Sequence, residues 1–381
     1  MVEWKNIDDI STNVFAGGTP NTKYEEYYDG DIPWIRSGEI DFNVILSAER
    51  NISKLGFDNS SAKLIRPQSV VMAMTGATVA KTAVVEIATT ANQSVCAIET
   101  DESKVNYKYL YYWLANNYLK IKSSAQGALT SLNLSKIKQI ELPVPHLDVQ
   151  YHIAVILDTF TSSIENLKEQ IALRRKQYEY YRDQLLDLEG KEGVEMKTIQ
   201  EICTHICSGG TPSTSHKEYY EGVIPWLRTQ EIDWKDIFDT EIKITEEAIA
   251  NSSAKIIPAN CIIVAMYGAT AAKVAINKIP LSTNQACCNL EIDSDQALYK
   301  FVYYWLCKEY LNLKSMGEGS QNNINGKKVK DYPIPVPPIS EQQRIVGILD
   351  VFEESIQNLE AQLAGREKQY EYYRNKLLTF E

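Results

Sequence analysis

The chain has 381 residues, 44% of them apolar, and a formal net charge of −11. That length suggests two to four domains of ordinary size. No apolar run is long enough to span a bilayer, and the start Met1-Val2-Glu3-Trp4-Lys5 leaves no room for a signal peptide, so a soluble cytoplasmic protein is expected. The acidic balance argues against holding nucleic acid by bulk attraction alone. Segments 146–190 and 339–381 each carry 5 basic and 8 acidic side chains, so the remainder is closer to neutral. A local basic groove, or positive charge from partner subunits, is compatible with that distribution.

Residue i matches residue i+192 from end to end, so 1–189 overlays 193–381 without a gap. Two copies at so long a period are a duplicated module, not a solenoid of short stacked units. In chain order, each copy opens with Gly17-Gly18-Thr19-Pro20 or Gly209-Gly210-Thr211-Pro212, expected as a tight turn. A strand follows at 32–36, with further strands at 69–74, 83–87 and 95–99 and counterparts 192 residues on. The strand at 69–74 runs into Thr75-Gly76-Ala77-Thr78, which reads as a turn. Segments 107–122 and 299–314 read as helices whose Tyr-Tyr-Trp-Leu sets, at 111–114 and 303–306, pack a core. The globular part of each copy is therefore mixed α/β.

Proline-rich junctions, Leu142-Pro143-Val144-Pro145 and Pro333-Ile334-Pro335-Val336-Pro337-Pro338, end each globular part. Beyond them the apolar spacing is strictly 4,3. The first stripe runs through Leu157, Phe160, Ile164, Leu167, Ile171, Arg174, Tyr178 and Tyr181. The second runs through Leu349, Phe352, Ile356, Leu359, Leu363, Arg366, Tyr370 and Tyr373. Such a stripe predicts a helix of roughly 42 residues, about 63 Å long, that must pair with another helix. The expected partner is the other copy's helix in an antiparallel coiled coil, with the globular domains at opposite ends about a pseudo-two-fold axis. Arg174 and Arg366 interrupt the stripes at matching places. Either their stems pack while the guanidinium groups reach the edge, or they fix register against acidic groups of the partner.

Catalytic signatures are missing. There is no phosphate loop of the Gly-x-x-x-x-Gly-Lys type, no Gly-x-Ser-x-Gly elbow and no His-Glu-x-x-His. None of the four histidines recurs between copies, and six of the seven cysteines lie in the second copy, which argues against a duplicated His site, a zinc site or a disulfide framework. No cofactor or metal is expected. Glu39 with Asp41, and Glu231 with Asp233, could be read with Lys81 and Lys273 as metal-dependent nuclease centres. Capping, ion pairing or orientation of Arg36 and Arg228 is the competing reading.

What recurs is polar and basic material on loops, of the types that read base edges and hold phosphates. In the first copy it comprises Thr19, Lys23, Arg36, Ser37, Gly38, Thr75, Gly76, Lys81, Asn92, Gln93, Gln126, Ser131 and Asn133. In the second it comprises Thr211, Arg228, Thr229, Gln230, Tyr267, Gly268, Lys273, Asn284, Gln285, Ser320, Gln321, Asn322 and Asn323. A kept framework with altered loop residues suits two readers of different short sequences; ordinary loop drift is the alternative at any single position.

The ordered set of Gly-Gly-Thr-Pro, Ile-Pro-Trp-Ile/Leu-Arg, Met-x-Gly-Ala-Thr, Pro-Val-Pro and Gln-Tyr-Glu-Tyr-Tyr-Arg-x-x-Leu-Leu, present twice, resembles the specificity subunit of type I restriction–modification systems. The resemblance covers essentially the whole chain. It implies two target-recognition domains, 1–145 and 191–337, alternating with conserved helical regions, 146–190 and 338–381. It also implies that each domain reads half of a bipartite double-stranded DNA site, that the helices act as a ruler, and that two methyltransferase subunits dock there. Restriction subunits would join the full complex, and the specificity subunit itself would be non-catalytic. The likeness of the two copies suggests related half-sites arranged as an approximate inverted repeat. A duplicated nuclease and a coiled-coil scaffold without DNA readout are the alternatives.

Overall fold

The computed structural model describes residues 2–125, 131–318 and 323–380. The first copy contributes β1 (Glu3–Asn6), β2 (Ser11–Ala16), β3 (Ile32–Ile35), β4 (Val44–Ile45), β5 (Asn51–Ile52), α1 (Lys54–Asp58), β6 (Ser69–Ala73), β7 (Thr82–Val85), β8 (Thr90–Ala91) and β9 (Val95–Thr100). Then come α2 (Tyr107–Asn116), α3 (Tyr118–Ser123), α4 (Leu134–Lys138), β10 (Glu141–Val144) and the long α5 (Leu147–Leu185). The second copy repeats the order with β11 (Glu195–Thr198), β12 (Cys203–Ser208), β13 (Ile224–Leu227), β14 (Asp236–Ile237), β15 (Ile242–Ile244), α6 (Glu246–Ala250) and β16 (Ile256–Ile257). It continues with β17 (Ile262–Ala265), β18 (Val274–Asn277), β19 (Leu281–Thr283), β20 (Cys287–Ile292), α7 (Tyr299–Lys308), α8 (Tyr310–Ser315), α9 (Gly326–Lys330), β21 (Pro333–Val336) and α10 (Ile339–Leu378).

Contacts divide the chain into two compact units, Met1–Glu169 with Ala361–Glu381, and Gln170–Glu360. Each unit thus combines one globular domain, the first part of its own long helix and the last part of the other copy's helix. In the first unit a five-stranded sheet has the order β2-β9-β6-β7-β4, beside a three-stranded sheet β5-β3-β8 and a β1-β10 pair. The pairings are antiparallel except β4 with β7 and β3 with β8. Strand β6, Ser-Val-Val-Met-Ala, is buried along its whole length because both faces of the sheet are covered. On one face Val70 and Met72 join Tyr109, Leu110 and Trp113 of α2, together with Ile153, Leu157 and Leu378. On the other, Val71 and Ala73 join Ile35, Ile40 and Ile65. A run covered on both sides loses its alternation and reads as continuously apolar. The second unit repeats this as β12-β20-β17-β18-β14, with a four-stranded sheet β15-β13-β19-β16 and a β11-β21 pair.

The expected helix over 107–122 is two helices. Asn117, at ψ 13°, ends the first, and its side-chain amide donates to the Trp113 carbonyl over 2.9 Å. Glu309 breaks the second copy's helix at the matching place. The Tyr-Tyr-Trp-Leu sets are buried in both copies, as a core assignment requires.

The long helices have 39 and 40 residues, about 59 Å at ~1.5 Å each. Inside each unit their segments run antiparallel. In the first, Phe160 meets Tyr370 and stacks on Tyr373 at 5.5 Å between centroids, while Lys168 pairs with Glu367. In the second, Tyr181 stacks on Phe352 at 5.4 Å and Arg175 pairs with Glu360. Burial follows the stripe. Leu157, Ile164, Ile171 and Leu349 are buried, and Phe160, Leu167, Tyr178, Phe352, Ile356, Leu359, Leu363 and Tyr370 are half-buried. Tyr181 and Tyr373, by contrast, are exposed edges of their stacks. Among the described residues the two stripe arginines pair with no acidic group: Arg174 lies over the Phe352 ring at 5.8 Å and Arg366 over Phe160 at 5.7 Å. A planar guanidinium stacks on an aromatic face and keeps its edge hydrated.

A buried glutamine joins each long helix to its domain, a role that carries no sequence signature. Gln150 Nε2 donates to the carbonyls of Lys104 and Pro145, at 3.1 and 2.8 Å, and its Oε1 accepts from the Asn106 N–H at 2.9 Å. Gln342 does the same with Gln296, Pro337 and Leu298. Truncation leaves several buried backbone groups without partners, each costing about 1–3 kcal/mol. Gln342→Ala is therefore expected to destabilise its unit by about 2–4 kcal/mol, read as a lower urea midpoint at unchanged slope. A shift within error would mean that solvent reaches these groups.

Candidate nucleic-acid interface

In each domain the recurring loops form one connected surface. The Gly-Gly-Thr-Pro segment is not the expected turn. Its two glycines adopt no left-handed conformation and serve close approach instead. A Cβ on Gly17 would lie 2.2 Å from the Ala91 carbonyl oxygen, and one on Gly18 would lie 2.2 Å from the Ser61 carbonyl carbon. Trp34 Nε1 donates to the Gly18 carbonyl at 3.0 Å, and Trp226 to Gly210 at 2.9 Å. This pins the segment so that Thr19 hydrogen-bonds Gln93, and Thr211 hydrogen-bonds Gln285. Gln93 and Gln285 are exposed, whereas Asn92 and Asn284 are half-buried. The Asn92 Oδ1 accepts the Ser94 N–H at 3.1 Å, and the Asn284 Oδ1 accepts from the Cys287 thiol at 3.2 Å.

Arg36 closes β3 and enters a short turn. Glu39 caps that turn through the Arg36 N–H at 2.8 Å, and its other oxygen accepts the Glu49 N–H at 3.0 Å. The Arg36 guanidinium pairs with Glu49 and lies near Glu39. Arg228 repeats the arrangement with Glu231 and Glu241. Thr78 Oγ donates to the Ser37 carbonyl at 2.9 Å, drawing Ser37 and Gly38 against the Thr75-Gly76 turn. Gly76 and Gly268 take φ of +79° and +77°, a conformation that favours glycine. In the second domain Thr229 and Gln230 occupy the turn, and the Gly268 N–H donates to Asn323 Oδ1 at 3.2 Å beside the half-exposed Tyr267.

Lys81 pairs with Asp41, and Lys273 with Asp233 at 2.6 Å. Lys273 also lies over the Trp234 ring at 4.3 Å, and Lys81 over Phe42 at 5.8 Å. Phe42 and Trp234 adopt φ of +53° and +49°, uncommon for aromatic residues, and their N–H groups donate to the Thr82 and Val274 carbonyls. The nuclease reading fails on this geometry. Both oxygens of Glu39 and of Glu231 are committed to backbone N–H groups, and each nearby Asp is paired with a lysine. Among the described residues no group of three or more His, Cys, Asp or Glu is placed to hold a metal ion.

The remaining candidates divide. The Leu132 N–H bonds the Met74 carbonyl at 2.8 Å, which brings Ser131 beside the Thr75 turn. Asn133 caps α4 through the Lys136 N–H at 2.9 Å, so its carbonyl oxygen is already committed. Lys23 is exposed on its own loop. Gln126, Ser320, Gln321 and Asn322 lie outside the described residues. Glu49 and Glu241, which neutralise the arginines, were missed because they lie 13 residues downstream with no local motif. All seven cysteines are unbridged, and burial pushes the Cys96, Cys203, Cys261, Cys288 and Cys307 thiols up to about 12.

Two mixed α/β domains with matching loop surfaces, each joined to long helices, are the architecture of a specificity subunit. The family described as "Type I restriction modification DNA specificity domain" matches residues 1–174 and again 191–365, and the chain belongs to that family. It is 38% identical over 299 residues to the EcoR124I/EcoR124II type I restriction enzyme specificity subunit of Escherichia coli, covering 74% of this chain and 72% of the relative. It is 28% identical to a putative type I specificity subunit of Haemophilus influenzae, covering 100% and 96%. The crystal structure of a type I S subunit from M. genitalium has the same fold, with a TM-score of 0.67 at 16% identity over 100% of this chain and 97% of that one. The protein is thus a specificity subunit, with no catalytic role of its own. Among the described residues no helix is long and apolar enough to cross a membrane.

Proposed function

We propose that residues 1–145 and 191–337 are target-recognition domains, each reading half of a bipartite double-stranded DNA site. The helical regions 146–190 and 338–381 pair as an antiparallel coiled coil that sets the unread spacer and docks methyltransferase subunits, two in a symmetric arrangement. Restriction subunits join the complete assembly. The observation that carries this reading is the matched loop surface, with Thr–Gln, Arg–Glu and Lys–Asp arrangements recurring at a constant offset. Framework contacts recur while half-buried and exposed loop positions differ: Ser37-Gly38 against Thr229-Gln230, Thr75 against Tyr267, Ser131 against Asn323. That is the pattern of two readers with related, unequal half-sites.

In free protein Arg36 and Arg228 are neutralised by Glu49 and Glu241; DNA would take over these guanidinium groups. Arg36→Ala is expected to weaken binding of the methyltransferase-assembled complex by about 1–3 kcal/mol, roughly 5- to 150-fold, with the loss confined to the first half-site. Filter binding against sites altered in one half checks this. Loss of thermal stability with no selective loss of affinity would make the arginine a structural ion pair.

A further inference from the structure

The two units differ at a half-buried polar position where the long helix meets its domain. In the second unit α10 carries Asp350 and Glu353 one turn apart, facing α7. Tyr304 Oη lies 2.6 Å from Asp350 Oδ1 and 3.0 Å from Glu353 Oε2, and Lys300 Nζ lies 2.7 Å from Asp350 Oδ2. A phenol has one proton to donate. The shorter contact, to the carboxylate paired with Lys300, takes it. The contact between Tyr304 Oη and Glu353 then lacks a hydrogen unless Glu353 supplies one.

The first unit makes the comparison direct. Lys108, Tyr112 and Asp158 repeat the same arrangement, with contacts of 2.6 and 2.7 Å. At the position of Glu353 stands Thr161, whose Oγ is 3.3 Å from Tyr112 Oη. A hydroxyl carries a proton of its own, which Thr161 can also give to the Asp158 and Leu157 carbonyls at 3.0 and 3.2 Å, whereas an ionised carboxylate carries none.

The surroundings of Glu353 favour the neutral acid. Tyr303 and Cys307 face it from α7 and Tyr178 from α5; Glu179, Arg182 and Lys308 line one adjoining cavity, and Arg175, Asp233 and Lys235 another. Asp350 on its own helix and Asp236 on β14 add negative charge, while Lys300 and the Tyr304 hydroxyl oppose them. Burial, followed by these two aspartates, pushes the Glu353 carboxyl up to about 7.

We propose that Glu353 is a protonated carboxylic acid donating to Tyr304 Oη, and that its ionisation loosens α10 from α7 in the second unit alone. The step releases one proton to solvent and leaves a carboxylate facing the Tyr304 oxygen lone pairs beside Asp350. The sign follows from linkage. Below the unfolded carboxyl value both states are protonated. Above it the unfolded chain gains by ionising while the folded protein does not, so stability falls with rising pH until Glu353 ionises near neutrality, and is level beyond.

The test compares thermal unfolding of the full chain, from pH 5 to 8, for wild type, Glu353→Gln and Glu353→Thr, the latter copying the first unit. The wild-type midpoint is expected to fall relative to both variants across this window, by about 5–10 °C at its upper end. Curves that stay parallel would overturn the proposal. Infrared spectroscopy decides independently of variant stability. A carboxylic-acid C=O band at pH 6 that titrates away by pH 8, and is absent in Glu353→Gln, supports it; no such band in wild type overturns it.

Discussion

Deleting one heptad from each long helix, residues 164–170 and 356–362, is expected to shorten the preferred DNA spacer by about three base pairs and leave both half-sites unchanged. Seven residues correspond to about 10.5 Å of helix, and base pairs stack at about 3.4 Å. The matched deletion keeps the 4,3 stripe in phase, so Leu157 and Phe160 still present the face that meets Tyr370 and Tyr373. Deleting five residues from each helix instead would turn the following segment by about 140° out of phase and should abolish assembly. Affinity of the methyltransferase-assembled complex for DNAs with graded spacers measures the first; sedimentation of the five-residue deletion measures the second. An unchanged spacer preference after the heptad deletion would remove the helices from the role of ruler.

Gly18→Ala and Gly210→Ala should each damage their own domain severely. The added methyl would lie 2.2 Å from the Ser61 carbonyl carbon in the first domain and 2.3 Å from the Ala254 nitrogen in the second. Backbone cannot yield as a flexible side chain can, so a cost of about 3 kcal/mol or more is expected. The clash also displaces the carbonyl that accepts from Trp34 or Trp226, and with it the Thr19–Gln93 or Thr211–Gln285 contact. Urea unfolding and half-site binding should fail together in the altered domain. A stable protein with normal discrimination of that half-site would show that the segment can move aside at little cost. Gly38 has open space around it, so Gly38→Ala is the matched control for the unfolding measurement alone.

The periodic and duplicated features are legible in the amino-acid sequence. The 192-residue offset, the buried strand at 69–73, the aromatic core of α2 and α7 and the two heptad stripes all follow from local pattern. Burial on a sheet or helix imposes a period of two or about 3.6, and full coverage leaves a continuous apolar run. The Gly-Gly-Thr-Pro segment misled because glycine permits both left-handed turns and close backbone approach. Which one applies depends on what crosses it, and here that is Ala91 and Ser61, far along the chain. The stripe arginines stayed open between two readings for a related reason: their partners, Phe352 and Phe160, belong to the other copy.

By itself the sequence determined the duplicated module, its mixed α/β class, the long helices and the family, because each is written in spacing between near neighbours or in repetition. Tertiary structure alone decided that Arg174 and Arg366 lie over rings of the other copy's helix, that Glu39 and Glu231 are caps rather than metal ligands, and that Glu353 shares a phenol with Asp350. These depend on pairings between residues dozens to hundreds of positions apart, where donor and acceptor counts and buried charge are settled by three-dimensional proximity that no local pattern encodes.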